Sequence, residues 1–373
     1  MQTDSAGPKQ EPCLSTITPP QYVFTNTGGT KSRFNGKYPE NTLASFEAAI
    51  DAGAEIIEFD VQVAGDGVVV VSHDPNTQRC FGVNHEITST PFKGVLDRLS
   101  IANPDLDTSI SKLGGGDMDD DIKSETATYT YQEQIQLSDA MLKKARNLTS
   151  SQHLPTFLEV AQKFATDPKY RNVGLMIDIK MTNEPGIVKK IVDILAQVNP
   201  DLTNYWAPRT VLGIWRLDVL REAGVVGRPF SVVHIGVSRS LARRFIAMPQ
   251  VSGVSLHHIA LSSGASGEAF IQEAKSQARY VYSWTINSLD LMKWAVASDI
   301  DGVITDYPDI YAQLRAGLTD DQIKRIYAPD TAAHAFIPWI DRNVKNIFFY
   351  YLLELIMLGK MMLLYFNSGR KNT

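Results

Sequence analysis

The 373-residue chain has few cysteines, no histidine before His73 and no excess of positive charge. Its two cysteines, Cys13 and Cys80, are too few for a disulfide scaffold and lack the spacing of a metal-binding pair. A formal net charge of -5 disfavours a general nucleic-acid-binding protein. The Met1–Gln21 segment is polar and has no apolar core, so it does not predict a secretory signal peptide. With 44% hydrophobic and 21% charged residues, the composition is that of a globular enzyme-sized domain.

One long apolar run is present, near the C-terminal end, and residues 347–366 read IFFYYLLELIMLGKMMLLYF. About twenty apolar residues can span the hydrocarbon core of a bilayer, although Glu354 and Lys360 interrupt this run. Aromatic residues at both ends, with basic residues outside them, favour a membrane location. The sequence allows four structures for this run. They are a helix that spans the membrane, a hairpin that turns at Gly359, a helix in the membrane interface and a helix buried against the domain. We interpret the run as a membrane anchor.

Between the two ends, short apolar runs alternate with amphipathic segments. The predicted strands are Tyr22–Thr25, Ile56–Val63, Val68–Ser72, Gly174–Ile179, Val211–Ile214, Phe230–Val233, Val254–His257, Tyr280–Thr285 and Gly302–Ile304. The predicted helices are Leu43–Asp51, Pro185–Gln197, Leu217–Ala223, Ser238–Met248, Glu268–Gln277, Ser288–Ala297 and Ile310–Ala316. About eight β-α units in roughly 300 residues predict an α/β fold, a TIM-type (β/α)8 barrel.

One stretch, residues 103–153, interrupts this alternation with a glycine triplet, an acidic cluster and little apolar periodicity. It lacks the ligand spacing of a calcium-binding loop, so we predict a disordered insert. The predicted organisation is therefore a disordered tail (1–20), a barrel (21–320) that contains the insert, a linker (321–346) and the membrane-associated segment (347–366).

Charged side chains follow two apolar strands in a pattern that favours a metal site. Glu58 and Asp60 lie two residues apart, so they point to one face of a strand, and their mutual repulsion requires a cation. Asp178 and Lys180 repeat the pattern at the end of another strand. Three carboxylates and one ammonium group predict a site for phosphate and an oxygen-preferring ion, Mg²⁺ or Ca²⁺. A structural salt-bridge network around Lys180 is the alternative.

His73 follows four consecutive valines at the end of a predicted strand. Taken alone it could be a buried core histidine, but its position thirteen residues after Asp60 favours a functional role. Near a metal-bound phosphate, an imidazole can serve as a general acid or base. His257 and His258 end another predicted strand, where one of them could reach the mouth of the pocket, although such a pair more often points one ring inward and one outward.

Seven short motifs follow one another along the chain. They are Tyr38-Pro39-Glu40-Asn41-Thr42, Glu58-Phe59-Asp60, His73-Asp74-Pro75, Leu154-Pro155-Thr156-Phe157, Met176-Ile177-Asp178-Ile179-Lys180, Trp284-Thr285-Ile286-Asn287 and Asp301-Gly302-Val303-Ile304-Thr305-Asp306-Tyr307-Pro308. Together they resemble the glycerophosphodiester phosphodiesterase family over roughly residues 22–318, apart from the insert. Within that family, Asp178 in place of the more usual glutamate and the apolar C-terminal run resemble the fungal phosphatidylglycerol phospholipase C branch.

The resemblance implies a metal-dependent phosphoric diester hydrolase on a phospholipase C-like TIM barrel. The implied substrate is a phosphatidylglycerol-like glycerophospholipid or a glycerophosphodiester, at the surface of the endoplasmic reticulum, a mitochondrion or a lipid droplet. The implied residues are Glu58, Asp60 and Asp178 as metal ligands, His73 and Lys180 as catalytic groups, and Glu40, Lys31, Arg33 and Trp284 as contacts to substrate or phosphate.

One element of the family pattern is missing. The His-Arg pair expected before the Pro-Glu-Asn-Thr motif is replaced by Lys31 and Ser32. Lys31 or Arg33 could contact a phosphate, but neither replaces an imidazole because their ordinary pKa values lie far above neutral. Losing half of an acid–base pair typically costs about 10²–10⁴-fold in rate. The sequence therefore predicts weakened hydrolysis, and the alternative is an inactive relative that binds phosphorylated headgroups or membranes.

Overall fold

The structure is a computed structural model that describes residues 22–26, 40–101, 152–317 and residue 350, with only the backbone described at 22–26, 101 and 152. The predicted tail, the linker, and most of the predicted insert and of the apolar C-terminal run lie outside these residues. Lys31 and Arg33 also lie outside them.

The described chain contains eleven strands. They are β1 (Tyr22–Asn26), β2 (Ile56–Val63), β3 (Val69–Val71), β4 (Ser100–Ile101), β5 (Gln152–His153), β6 (Gly174–Ile179), β7 (Thr210–Ile214), β8 (Ser231–Gly236), β9 (Val251–His257), β10 (Tyr280–Trp284) and β11 (Gly302–Thr305). Eight of them form a closed parallel ring in the order β1, β2, β6, β7, β8, β9, β10, β11, because β1 pairs with both β2 and β11. This ring confirms the predicted TIM-barrel-like fold.

Each strand of the ring is followed by at least one helix before the next ring strand or the end of the barrel. The helices are α1 (Leu43–Asp51), α2 (Gln78–Phe81), α3 (Phe157–Thr166), α4 (Ile187–Val198), α5 (Leu217–Val226), α6 (Arg239–Ile246), α7 (His258–Ser262), α8 (Ala265–Ser276), α9 (Leu289–Ala297) and α10 (Pro308–Gly317). None of the helices within the described ranges is both long enough and apolar enough to cross a bilayer.

The main apolar core lies between the ring and the outer helices. Phe59 of β2 packs between Phe46 of α1 and Phe157 of α3, with ring centroids 5.6 and 6.0 Å apart. All three side chains are fully buried. Because side chains alternate along a strand, the outward position of Phe59 turns its neighbours Glu58 and Asp60 into the barrel.

A second, smaller cluster fills the inside of the ring. It consists of Met176, Val233, Tyr282 and Ile304, each from a different strand. Met176 is the register partner of Glu58, and the carboxylates of Asp60 and of its neighbour on β6 lie one layer further along. The site therefore rests on a packed floor of side chains, as expected inside a barrel of this class.

Most predicted strands and helices are confirmed, with ends displaced by at most three residues. The Asp66-Gly67 dipeptide, which is typical of tight turns, lies in the loop that joins β2 to the antiparallel β3, and Gly67 takes a left-handed φ of 88° there. Helix α3 was not predicted, although a capping box between Thr156 and Glu159 marks its start. The last two residues of the predicted disordered insert, Gln152 and His153, form β5 and pair with β4, while its residues 103–151 lie outside the described residues.

Gly253 of β9 faces the backbone of β10 at very short range. A methyl group here would fall on the carbonyl oxygen of Tyr280, its register partner. We expect Gly253→Ala to lower the free energy of unfolding by about 1–3 kcal/mol, because the neighbouring backbone has to move. Gly186→Ala is the matched control, since nothing lies within 4 Å of a methyl group at that position. Urea denaturation compares the two variants, and equal midpoints would contradict the prediction.

Candidate active site

Three buried carboxylates meet at the carboxyl ends of β2 and β6. Asp60 and Asp178 are register partners on these neighbouring strands, and Glu58 lies on the same face of β2 two residues earlier. One oxygen of each lies within 4.8 Å of the others. The structure thus brings together the three residues that the sequence predicts as metal ligands.

The ammonium group of Lys180 lies between two of these carboxylates. Its Nζ is 2.6 Å from Oδ1 of Asp60 and 3.0 Å from Oδ2 of Asp178. Burial alone would lower the pKa of Lys180, but the two aspartates outweigh it and raise this pKa above its usual value. Lys180 therefore carries a fixed positive charge inside the site.

The pKa values of the two aspartates shift in opposite directions, although burial disfavours the charged form of both. For Asp60, attraction to Lys180 and to His73 outweighs the burial and holds the pKa below its usual value. For Asp178, burial dominates over attraction to Lys180, and repulsion from Asp60 adds to it, so the pKa is raised. A further positive charge at this point would favour the ionised form of Asp178.

The cluster carries more negative than positive charge. Its three carboxylates contribute three negative charges when ionised and Lys180 contributes one positive charge, which leaves -2. Uncompensated buried charge costs several kcal/mol per ion, and one divalent cation would balance this excess. Because all three donors are carboxylate oxygens, the cluster fits Mg²⁺ or Ca²⁺ better than a metal that prefers nitrogen or sulfur.

Asn41, from the Pro-Glu-Asn-Thr motif, holds Asp60 in place. Its side-chain nitrogen donates to Oδ2 of Asp60 at 3.0 Å, and its side-chain oxygen accepts from the Asp60 backbone N–H at 3.3 Å. The backbone of Asn41 has a φ of 57°, a left-handed conformation that asparagine tolerates better than most residues. The sequence predicts Asn41 or Thr42 as the cap of α1. Thr42 is the cap, accepting from the Ser45 N–H, and Asn41 serves the site instead.

Trp215 contacts the site although no sequence motif points to it. Its indole Nε1 donates to Oδ1 of Asp178 at 2.7 Å, while Lys180 donates to Oδ2. Both oxygens of Asp178 are therefore oriented by donors. The only signal in the sequence is position, because Trp215 directly follows β7, at the end of the ring where barrel side chains serve a site.

His73 reaches the site on a hairpin and not on a strand of the ring. Strand β2 continues beyond the ring, and β3 returns antiparallel to it with Val71 opposite Val61. The next residue, Ser72, donates its backbone N–H to the carbonyl oxygen of Asp60. This return brings the imidazole back to the level of the carboxylates.

Two side chains fix the segment that carries the imidazole. The Gln62 amide donates to the backbone oxygens of Ser72 and Asp74 at 3.0 and 2.5 Å. The Asp74 carboxylate lies 2.8 Å from Nδ1 of His73 and 2.5 Å from Nε of Arg79. His73 is thereby oriented by a carboxylate that is itself held, and its Nε2 is the nitrogen left for other partners.

Glu40 lies beside His73 but its carboxylate is paired with Arg79. The two form a bidentate contact, with Nη2 at 2.5 Å from Oε1 and Nη1 at 2.7 Å from Oε2. Burial raises the pKa of Glu40, and Arg79 acts in the opposite direction. Glu40, His73 and Cys80 line one cavity, where burial raises the pKa of the Cys80 thiol to about 12. Glu40 thus supports the segment around His73, and the predicted contact from Glu40 to substrate stays a prediction.

Three aromatic rings, Trp215, Trp284 and His257, form an aromatic wall next to the carboxylates. The Trp215 and Trp284 ring centroids are 5.9 Å apart and those of His257 and Trp284 are 4.9 Å apart, both edge to face. Trp284, predicted to line the pocket, donates its Nε1–H to the Ser255 carbonyl oxygen at 3.0 Å. Burial lowers the pKa of His257 to about 3, so the wall is uncharged at neutral pH.

Burial keeps three other described histidines, His234, His257 and His258, uncharged near neutral pH. His257 and His258 do not point to opposite sides, because their rings are 4.3 Å apart and both are half-buried. Burial lowers the pKa of His258 to about 4. His234 is buried against Phe245 of α6, on the outside of the ring, and burial lowers its pKa to about 4 as well. The predicted phosphate contacts of Lys31 and Arg33 stay predictions.

A parallel barrel with a buried acidic cluster, a fixed ammonium group and an oriented imidazole at one end has the features of a hydrolase for phosphate esters. Residues 34–310 match the glycerophosphoryl diester phosphodiesterase family. The chain belongs to this family, which makes it a phosphoric diester hydrolase by class.

Similar proteins match the whole barrel or a part of it. A glycerophosphodiester phosphodiesterase of Bacillus altitudinis is 22% identical over 313 residues, which is 79% of this chain and 97% of that protein. A lysophospholipase D of Mus musculus is 41% identical over a shorter stretch of 59 residues, 16% of this chain and 18% of that protein. A phosphodiesterase of Oleispira antarctica, solved with its product sn-glycerol-3-phosphate, has the same fold with a TM-score of 0.53 and 19% identity. The likeness covers 80% of this chain and 98% of that one.

The hydrogen bond from Trp215 to Asp178 can be tested without any activity. Trp215→Phe keeps an aromatic ring but removes the donor, and we expect the affinity for Mn²⁺ to fall about 10–100-fold because Asp178 is no longer oriented. Calorimetric titration of the purified protein measures the affinity. Trp294→Phe, in the partly buried surface of α9, is the control. Equal affinities of the two variants would show that Trp215 does not position a metal ligand.

Proposed function

We propose that this chain is a metal-dependent phosphodiesterase that hydrolyses a glycerophospholipid resembling phosphatidylglycerol to diacylglycerol and glycerol phosphate. This is the activity of the fungal phosphatidylglycerol phospholipase C branch that the sequence resembles. A soluble glycerophosphodiester would undergo the same chemistry. The observation that carries the proposal is the buried acidic cluster with Lys180 inside it and His73 beside it.

The charges of the cluster suit an anionic diester only with a cation present. Glu58, Asp60 and Asp178 would hold Mg²⁺ or Ca²⁺. When bound, the ion would polarise the phosphoryl oxygens and lower the pKa of the attacking hydroxyl. Lys180 adds a positive charge that does not depend on pH near neutrality, because its pKa is raised. The cluster would then attract phosphate where its carboxylates alone would repel it.

The proposed reaction has two steps. The 2-hydroxyl of the headgroup glycerol attacks phosphorus in line and loses its proton, while the bond from phosphorus to the diacylglycerol oxygen breaks and that oxygen takes up a proton. The resulting cyclic glycerol phosphate is opened by one water molecule to glycerol phosphate. Each step therefore needs a proton acceptor and a proton donor on opposite sides of phosphorus.

His73 is the proposed partner for one of these proton transfers. With Nδ1 held by Asp74, the ring presents Nε2 to a bound diester. The other transfer would fall to Lys31, Arg33 or water, because Lys31 and Ser32 stand where the family has His-Arg. We therefore propose slower turnover than in family members that have both histidines.

Two features support a lipid over a soluble diester. The aromatic wall is uncharged and lies next to the carboxylates, where the alcohol part of a diester would be placed. The apolar run at 347–366, which we propose as the anchor to an intracellular membrane, would raise the local concentration of a membrane substrate. A relative named as a lysophospholipase D agrees with a lipid substrate.

The direct test is release of diacylglycerol from phosphatidylglycerol vesicles by the purified full chain. We expect release with Mg²⁺ or Ca²⁺, its loss with excess chelator, and a fall of at least about 10³-fold in Asp60→Asn, because that variant removes a proposed ligand. Circular dichroism confirms that the variant is folded. Release that survives chelation would contradict the metal dependence.

A second variant separates the enzyme from an inactive relative. Lys31→His with Ser32→Arg restores the family pair, and we expect it to raise the rate by about 10–10³-fold because the second acid–base partner returns. Lys31→Arg with Ser32→Ala is the matched control. If neither the natural chain nor the restored variant releases diacylglycerol or hydrolyses a soluble diester, this result favours an inactive relative that binds phosphorylated headgroups.

The contact between Asp74 and His73 predicts a specific loss. Asp74→Asn removes the negative charge beside Nδ1, and we expect kcat to fall about 10–100-fold with little change in KM, because the ring no longer has a charged partner during proton transfer. Asp97→Asn is the control, since Asp97 is exposed and bonds to the Gly94 backbone N–H. A change in KM alone would indicate that Asp74 serves substrate binding.

A further inference from the structure

Tyr350, the one residue of the apolar C-terminal run that the structure describes, is fastened to the barrel. Its hydroxyl accepts a hydrogen bond from the Arg239 backbone N–H at 3.2 Å. The Arg239 guanidinium lies over the Tyr350 ring, 3.9 Å from its centroid. The side chain is 2% exposed and belongs to a buried apolar cluster that includes residues of α6, α7 and α8. The run therefore meets the barrel at a defined place.

That place is on the face of the barrel that carries the site. Arg239 is the first residue of α6, which follows the carboxyl end of β8. Its guanidinium donates to the Ala260 carbonyl oxygen at 2.7 Å and to Ser263 Oγ at 2.5 Å, in and just after α7, which follows β9. In a parallel ring the carboxyl ends of all strands lie on one face, and the acidic cluster lies there too.

The contact also adjoins the aromatic wall. His257 directly precedes α7 and touches Trp284, which touches Trp215. Packed residues thus connect Tyr350 to the wall and, through Trp215, to Asp178. Tyr350 therefore lies on the same side of the barrel as the site and not at its back.

Exposed apolar side chains occur on the same face. In the described part of the chain, three large apolar residues are exposed: Val83 at 48%, Ile310 at 43% and Val225 at 67%. Val83 follows α2, whose residues line the cavity next to His73, and Ile310 lies in the first turn of α10 after β11. Val225 lies in the last turn of α5, at the opposite face. Two of the three therefore flank the mouth of the site.

We propose that the face formed by the carboxyl ends of the strands lies against a lipid bilayer, with the apolar run fastened to its rim through Tyr350. The inference rests on the proposed phospholipid substrate, which would then enter the site from the bilayer surface.

The test compares vesicle binding of variants at the two faces of the full-length protein. We expect Val83→Glu and Ile310→Glu each to lower partition onto phosphatidylglycerol vesicles about tenfold, because a charge replaces an apolar contact with lipid. Val225→Glu, at the opposite face, is the matched control and should bind as the natural protein does. Flotation on a density gradient measures the bound fraction. Equal losses in all three variants, or no loss in any, would overturn the proposal.

The contact of Tyr350 predicts a different effect. Tyr350→Ala should lower hydrolysis of vesicle phosphatidylglycerol about tenfold or more while hydrolysis of soluble glycerophosphoglycerol is retained, because the run no longer holds the site toward the lipid. Tyr350→Phe keeps the ring over Arg239, so its hydrolysis of vesicle phosphatidylglycerol should fall little. Retained hydrolysis of the soluble diester by Tyr350→Ala would exclude a folding defect. Equal losses on both substrates would contradict it.

Flotation does not depend on catalysis, so the two proposals fail separately. If the natural protein floats with vesicles but hydrolyses neither substrate, the result contradicts the proposed hydrolysis and supports the proposed contact with the membrane. If it hydrolyses the soluble diester but does not float, the apolar run packs on the protein itself and the membrane-facing surface is overturned.

Discussion

Negative charge buried in a closed ring is the constraint on which the rest of the site depends. Asp60 and Asp178 face each other on neighbouring strands, where like charges at short range repel. Three side chains from elsewhere offset this repulsion, namely Lys180 between the carboxylates, Asn41 on one and Trp215 on the other. Lys180 follows β6, Trp215 follows β7, and Asn41 lies in the connection between β1 and β2. Pairing of β2, β6 and β7 and stability of the site are therefore coupled, because these neighbouring strands bring Lys180 and Trp215 to the two aspartates.

The arrangement places a charged surface next to an uncharged one. The carboxylates, Lys180 and the oriented His73 form a polar half suited to a phosphate and its metal. The aromatic wall forms a neutral half, since burial holds His257 in its uncharged form at neutral pH. The proposed lipid substrate, with an anion on one side and an apolar alcohol on the other, would match this division.

The barrel and the acidic cluster could be predicted because both follow from local periodicity. Alternation along Ile56–Val63 turns Phe59 outward and the carboxylates inward, and the structure has this strand with the same ends. Trp215 and Arg79 could not be predicted in the same way, since their partners lie 37 and 39 residues away and no spacing rule links them. Helix α3 carried a readable capping box at Thr156 that apolar periodicity alone did not reveal.

The hairpin that carries His73 limits which insertions and deletions the sequence can accept. The carboxylates of the cluster lie on ring strands, but His73 follows a short return strand, β3, whose register is set by the three-residue turn of Gly65, Asp66 and Gly67. Because side chains alternate with period two, one inserted or deleted residue there would turn the following strand over and carry the imidazole away from the cluster. Surface turns usually accept changes of length, but this turn does not have that freedom. Any descendant of this sequence that keeps its imidazole in place must also keep the length of the turn.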